Sequence, residues 1–219
     1  MTEKLKKIVR IIFNVALVLC AATGTIINFK FINPATILAT FTTQSNLFCL
    51  IIGLVTLVRI LKEDNSVGKT YIFLKGMSLT SIILTFTISN FVLKPALLPQ
   101  DAILAFANNL VHVIVPLLML AEYLVFEKKG LFKVWYPFVW PAFLFYYLGY
   151  TAVYKLFGGV YRFRDQVVKF PYFFLDYETH GWNNVVFWVS LIVLVFIVFS
   201  FIIIGLDRAL VMTKTRQKV

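Results

Sequence analysis

Charged residues are scarce in this chain, and their scarcity argues against an ordinary soluble domain. Only 14% of the 219 residues are Asp, Glu, Lys or Arg, whereas about a quarter are charged in a typical soluble protein. Hydrophobic residues make up 60% of the sequence, and its mean hydropathy is +0.86. We therefore predict an integral membrane protein in which residues 1–219 form a single transmembrane bundle.

Cysteine and histidine are also rare, with two residues of each kind. Cys20 and Cys49 both fall within apolar runs, so a disulfide framework is not expected. Asp176, Glu178 and His180 nominally offer metal ligands, but their spacing is nonspecific. The sequence also lacks a Gly-rich phosphate-binding loop. We therefore expect no metal and no other cofactor.

Acidic residues are outnumbered by basic ones, 10 against 21, which gives a net charge of +11. Most of the Lys and Arg residues lie at the N-terminus, in the second-to-third and fourth-to-fifth helix connections, and in the C-terminal tail. Cytoplasmic loops of membrane proteins carry such an excess. We therefore predict that both termini are cytoplasmic, and the charge does not require a nucleic-acid partner. The short basic tail and the lack of a eukaryotic targeting signal favour a bacterial plasma membrane.

Six apolar runs are each long enough to cross a bilayer as a helix. The first run exceeds the apolar core of a signal peptide, so we expect it to be retained. A short connection runs from Lys94 to Asp101, and a long outer loop covers residues 155–184, as is typical of a lid or packed cap. The prediction is an all-α integral membrane protein, a six-transmembrane-helix bundle, with helices at about 8–29, 37–61, 71–93, 103–126, 134–154 and 185–206.

One histidine falls at membrane depth, in the fourth predicted helix. An ionisable group there is costly to bury, so His112 is expected to face the bundle interior or a wet cavity. Asn108 lies four residues before it, on the same helix face. Pro116 lies four residues after it and has no N–H, so the carbonyl of His112 loses its helical partner and the helix should bend. This spot is therefore the first candidate for a functional site.

A second polar group lies near the start of the second predicted helix. Thr43 is about 9 Å deep there and His112 about 13 Å deep in the fourth helix, both measured from the outer side at 1.5 Å per residue. Neutral histidine has a suitable pKa to deprotonate a threonine hydroxyl. Most hydroxyls in membrane helices, however, only bond to backbone or to neighbouring helices. The similar depths allow Thr43 and His112 to meet if their helices are neighbours.

Several amides and one acid are candidates for supporting roles. Asn46 shares a helix face with Thr43, and Asn108 and Asn109 precede His112 by about one turn. Their side chains are candidates for holding the imidazole or for binding an oxyanion. If the outer loop folds over the site, Asp176 is a better candidate for the third member than Glu122, which lies nearly three turns from His112.

Three segments carry a family resemblance: Thr43-Gln44-Ser45-Asn46-Leu47, Asn109 with His112-Val113-Ile114-Val115-Pro116-Leu117, and the aromatic–proline segment ending in Leu175-Asp176, with Gly181 following. In these segments the chain resembles the androgen-induced membrane hydrolase family and its prokaryotic six-helix relatives. It implies a membrane-embedded threonine hydrolase with Thr43 as nucleophile and His112 as base. The adjacent Thr42 leaves the register open by one residue. Animal members cleave fatty-acid esters of hydroxy fatty acids, which implies a lipid or fatty-acyl ester as substrate.

Two other functions remain open from the sequence. A small transporter or lipid-binding membrane protein would use His112 and Glu122 to line a polar path across the bilayer. A structural partner subunit would instead leave His112 satisfied by a neighbouring helix, without a pocket. The sequence indicates the bilayer as a partner and leaves the oligomeric state open.

Overall fold

The computed structural model describes residues 2–64, 66, 68–93, 102–163 and 166–216. The predicted connection from Lys94 to Asp101 lies outside these residues. The helices are α1 Glu3–Phe31, α2 Pro34–Leu38, α3 Phe41–Leu61, α4 Lys69–Thr87, α5 Ala102–Asn109, α6 Val115–Phe126, α7 Tyr136–Val139, α8 Ala142–Leu156 and α9 Tyr177–Arg216.

Five helical segments of the described chain are long and apolar enough to cross a membrane, which confirms the prediction of a helical membrane protein. They match the first four predicted helices and the last one. The fifth predicted helix, 134–154, instead divides into α7 and α8. The helix is interrupted at Pro141 because proline has no N–H to continue the helical hydrogen bonds. The five segments are Glu3–Lys30, Phe41–Leu61, Lys69–Val92, Ala102–Phe126 and Tyr177–Val211.

The long outer loop contains more structure than the sequence predicted. Strands β1 Tyr161–Phe163 and β2 Gln166–Val168 form an antiparallel hairpin in which Tyr161 pairs with Val168. A 3₁₀ turn, Phe173–Leu175, follows. The last helix begins at Tyr177, eight residues before the predicted start, and is interrupted at Gly181, where φ is 77°. Glycine takes this left-handed conformation without the steric cost that other residues meet.

The predicted irregularity near Pro116 takes the form of a π-helical turn. Residues Leu110–Ile114 form this turn between α5 and α6, and the N–H of Val115 donates to the carbonyl of Leu110. A π turn of this kind is commonly found at functional sites. Asn90, in a second π turn (Ile88–Val92) at the end of α4, donates from Nδ2 to the His112 carbonyl at 3.4 Å. The carbonyl deprived of a partner by Pro116 is thereby satisfied from a neighbouring helix.

A buried ion cluster joins α1, α4 and α6 at one end of the bundle. Lys75 Nζ lies 2.5 Å from Glu122 Oε2, and Arg10 Nε lies 3.1 Å from Glu122 Oε1. Arg10 Nη2 also lies 2.7 Å from Glu127 Oε1. Two cations and two carboxylates therefore balance inside the bundle, and Glu122 is fully buried. In this structure Glu122 is a partner in that cluster.

Candidate functional site

The centre of the site is a contact between the first turn of α3 and the π turn. The hydroxyl oxygen of Thr42 lies 3.2 Å from Nε2 of His112. Thr40 caps α3, since its side chain accepts a hydrogen bond from the N–H of Thr43. This cap sets where the helix begins and therefore which side chains of its first turn face the π turn.

The second ring nitrogen of His112 determines what the first one can do. Nδ1 lies 3.1 Å from the backbone carbonyl of Asn108, which is an acceptor only. Nδ1 must therefore carry the proton, and in the neutral ring Nε2 is left as an acceptor. The hydroxyl of Thr42 then donates to Nε2. A hydroxyl, an imidazole and an acceptor in series are the parts of a base-activated nucleophile.

Thr43, the predicted nucleophile, does not occupy this position. Its hydroxyl is buried and accepts a hydrogen bond from the Thr40 hydroxyl at 3.1 Å. Successive residues of an α-helix are about 100° apart around the axis, so Thr42 and Thr43 face different neighbours. The structure therefore brings Thr42, and not Thr43, into contact with His112.

Asn46 connects the two segments that carry the site. Its Nδ2 donates to the Thr42 carbonyl at 2.8 Å and to the Val111 carbonyl at 3.0 Å. The π turn directs the N–H of Val115 to Leu110, and Pro116 has no N–H, so the Val111 carbonyl needs a partner from outside the helix. Asn46 is thus a positioning residue that ties α3 to the π turn.

The other predicted supporting residues are distributed differently. Asn108 contributes its backbone carbonyl, and Asn109 is exposed. Asp176 accepts from the N–H of Thr179 at 2.9 Å and so caps the start of α9. Burial alone would raise the pKa of Asp176, but hydrogen bonding with Thr179 outweighs it and lowers that pKa. The Asn108 carbonyl therefore orients the imidazole, in the role that the sequence assigned to Asp176.

Tyr172 is a residue of the site that the sequence did not indicate. Burial raises the pKa of its phenol, while neighbouring polar groups, first the Thr42 side chain and then the backbone of Phe41 and Thr42, oppose that increase. The phenol oxygen therefore lies against the first turn of α3. Its only sequence signal is a place in the aromatic outer loop, since no helical spacing links that loop to Thr42.

An apolar cavity opens beside Thr42. The space within it is about 520 Å³, its open mouth included. Hydrocarbon side chains dominate its wall, and Thr42 and Tyr172 place hydroxyl groups at it. The lining residues come from α3, α4 and its π turn, α8, the outer loop and α9; they include Leu84, Ile88, Leu144, Leu148, Phe174, Leu175, Val189 and Ile192.

Among the residues that the structure describes, no group of three His, Cys, Asp or Glu side chains is placed to hold a metal ion. The features that recommend this site are the Thr42–His112 contact, the acceptor behind the imidazole and the adjoining cavity. No family model matches the chain, no curated protein is significantly similar to it, and no solved structure matches its fold.

Proposed function

We propose that this chain is a membrane-embedded lipid ester hydrolase with Thr42 as nucleophile and His112 as general base. The observation that carries the proposal is the 3.2 Å contact between the Thr42 hydroxyl and His112 Nε2, with Thr42 itself lining an apolar cavity. The resemblance to the androgen-induced membrane hydrolase family supports the same pair of residue types, with the threonine shifted by one position. Its substrate class, fatty-acid esters of hydroxy fatty acids, is our first choice for this chain.

The reaction follows from the order of donors and acceptors. His112 Nε2 takes the proton of the Thr42 hydroxyl while the oxygen attacks the ester carbonyl and forms a tetrahedral oxyanion. Collapse breaks the bond to the leaving alcohol, which receives that proton from His112, and leaves an acyl ester on Thr42. Water, deprotonated by Nε2, then attacks this ester; the fatty acid departs and Thr42 regains its proton.

The oxyanion needs a hydrogen-bond donor, and the outer loop brings one beside Thr42. Tyr172 and Thr42 line the same cavity, and the Tyr172 phenol lies against the first turn of α3. We assign the Tyr172 O–H to the binding of the oxyanion.

The substrate chain fits the character of the cavity. Its wall is hydrocarbon apart from a few hydroxyl groups, so an acyl chain would lose no hydrogen bonds on entry, whereas a polar substrate would. The cavity is also partly open, and we propose that the substrate enters through this opening from the membrane.

We further propose six membrane crossings with both termini in the cytoplasm of a bacterial cell. The broken segment α7–α8 would form the sixth crossing, because 21 residues span about 31 Å at 1.5 Å each, close to the bilayer core. Contacts at the two ends support this path: Phe132 N donates to Asp207, and Arg162 N donates to Thr36 at the opposite end. The basic end of the bundle then faces the cytoplasm.

The hydrolase is tested with the purified protein and p-nitrophenyl esters of increasing chain length. We expect turnover that rises from acetate to long acyl chains and is lost in Thr42→Ala and in His112→Ala. Thr43→Ala is the matched control, since it removes the same hydroxyl one residue away. Turnover that survives in a folded Thr42→Ala variant would refute the proposal.

The second candidate is a small transporter or lipid-binding protein, and a polar seam between α3 and α4 favours it. Ser45 Oγ lies 2.7 Å from Thr85 Oγ1, Cys49 Sγ lies 3.3 Å from Ser78 Oγ, and Thr56 Oγ1 lies 2.9 Å from the Tyr71 hydroxyl. The seam runs from the site towards the ion cluster. Transport predicts a solute or proton flux in proteoliposomes that a folded Glu122→Gln variant lacks, whereas the hydrolase keeps its turnover in the same folded variant.

A further inference from the structure

A second cavity lies at the opposite end of the bundle from Thr42. It encloses about 1590 Å³, its open mouth included. Its lining comes from the start of α1, the end of α3, the start of α4 and the connection after α6. The preference of cytoplasmic loops for Lys and Arg accounts for bases at this end, but not for their arrangement around a concave space.

The lining of this second cavity contains more basic than acidic side chains, and several of them form ion pairs with one another. Six bases, Lys4, Lys6, Lys7, Arg10, Arg59 and Lys128, face four acids, Glu3, Glu63, Asp64 and Glu127. Three of the acids are already bound to bases of the same lining. Lys7 pairs with Glu63, Arg59 with Asp64, and Arg10 with Glu127.

Two lysines at the mouth of the cavity, Lys4 and Lys6, are not held in such ion pairs. Within the described part of the chain, no carboxylate forms an ion pair with Lys4 or Lys6, and both side chains are exposed. Both also line this cavity. The mouth therefore carries positive charge beyond what the neighbouring acids neutralise.

Arg10 lies at the inner part of this cavity and retains donors. A guanidinium has five N–H donors, and Arg10 gives two hydrogen bonds, one to Glu122 and one to Glu127. The ion cluster holds the group in place, so presenting its remaining donors costs little side-chain entropy. A planar, fixed guanidinium is well suited to binding phosphate oxygens.

Apolar side chains share the wall with these bases. Ile60, Ile72, Phe126 and Leu131 line the cavity together with the hydroxyls of Thr56 and Tyr71. A free anion would use only the basic part, whereas a lipid would use both parts. We propose that this cavity binds a phosphate-bearing anion, with the headgroup of an anionic phospholipid as the favoured source and free phosphate as the other.

The test uses native mass spectrometry of the full-length protein in detergent with equal amounts of phosphatidylglycerol and phosphatidylcholine. The wild type should retain phosphatidylglycerol preferentially, and Lys4→Gln/Lys6→Gln should weaken that retention at least about fivefold. Lys62→Gln/Lys133→Gln is the matched control, because it removes the same charge from exposed lysines outside the cavity lining. The control should change retention by less than about twofold.

A parallel arm identifies the source of the phosphate group. Inorganic phosphate and pyrophosphate are titrated against the same three proteins, with the thermal midpoint as the readout. Phosphate stabilisation of the wild type that Lys4→Gln/Lys6→Gln removes, without a lipid preference, supports the site with a soluble anion. Equal binding of both lipids together with no phosphate effect overturns the proposal, and so does an equal loss in the two double variants. Neither arm depends on Thr42 chemistry.

Discussion

At the scale of single residues, the site depends on the hydrogen-bond partners of the two ring nitrogens of His112. Nδ1 is bound to the Asn108 carbonyl at 3.1 Å and Nε2 to the Thr42 hydroxyl at 3.2 Å. A backbone carbonyl takes the orienting role that a carboxylate often has, which avoids the cost of burying a further charge in the membrane. Such a role cannot be found by searching the sequence for an acid, because every residue has a carbonyl.

Tyr172→Phe tests the oxyanion assignment at this scale. The substitution removes one hydroxyl and keeps the ring, so we expect the rate of acyl transfer to fall about 100-fold, the usual effect of losing one oxyanion donor. The measurement is kcat with a long-chain p-nitrophenyl ester.

The matched control for that variant is Tyr177→Phe, since the Tyr177 ring stacks on Trp182, away from Thr42. A Tyr172→Phe enzyme with unchanged kcat would remove Tyr172 from the mechanism.

At the scale of elements, the π turn before α6 decides where His112 points. Gly24 permits α1 to approach this turn, since a Cβ there would lie 2.6 Å from Val111 Cγ1. Asn46 and Asn90 satisfy the carbonyls of Val111 and His112, which Pro116 and the widened turn leave without ordinary helical partners. The contact between Thr42 and His112 therefore depends on amides from neighbouring helices.

Pro116→Ala tests the role of the π turn. Alanine restores an N–H that can bond to the His112 carbonyl, so the turn should relax towards regular α-helix and rotate the imidazole away from Thr42. We expect ester turnover to fall at least about tenfold while the thermal midpoint is unchanged or higher. Full activity in this variant would mean that the neighbouring helices, and not the proline, hold the turn.

The sequence predicts the long helices of this protein better than it predicts the residues that meet at the site. Hydropathy alone located five long helices, because crossing a bilayer requires long apolar segments. The sequence did not predict which of the adjacent residues Thr42 and Thr43 faces His112, because that depends on where α3 begins, and the Thr40 cap sets its start. Tyr172 reaches the site through the fold of the outer loop, which leaves no periodic signal in the sequence.

At the scale of the whole molecule, the cavity beside Thr42 and the basic cavity lie at opposite ends of the bundle. The ion cluster of Arg10, Lys75, Glu122 and Glu127 joins α1, α4 and α6 near the basic end. Its members are paired, so breaking one pair leaves an uncompensated charge, whereas removing both partners does not.

Lys75→Met and Lys75→Met/Glu122→Leu test this account of the cluster. The single change leaves Glu122 short of a cation and should cost about 3–5 kcal/mol of stability. The double change should regain most of the lost stability, because the remaining charges of Arg10 and Glu127 still balance. Thermal unfolding in detergent measures both, and a double variant as unstable as the single one would contradict the account.

The measurement that tests the central claim most directly is identification of the residue that a fluorophosphonate probe modifies. The purified protein is labelled in detergent and digested, and the modified peptide is sequenced by tandem mass spectrometry. The account predicts a single phosphonate adduct on Thr42 that is lost in His112→Ala and kept in Thr43→Ala. An adduct on Thr43, or an adduct on Thr42 that forms equally fast without His112, would contradict it.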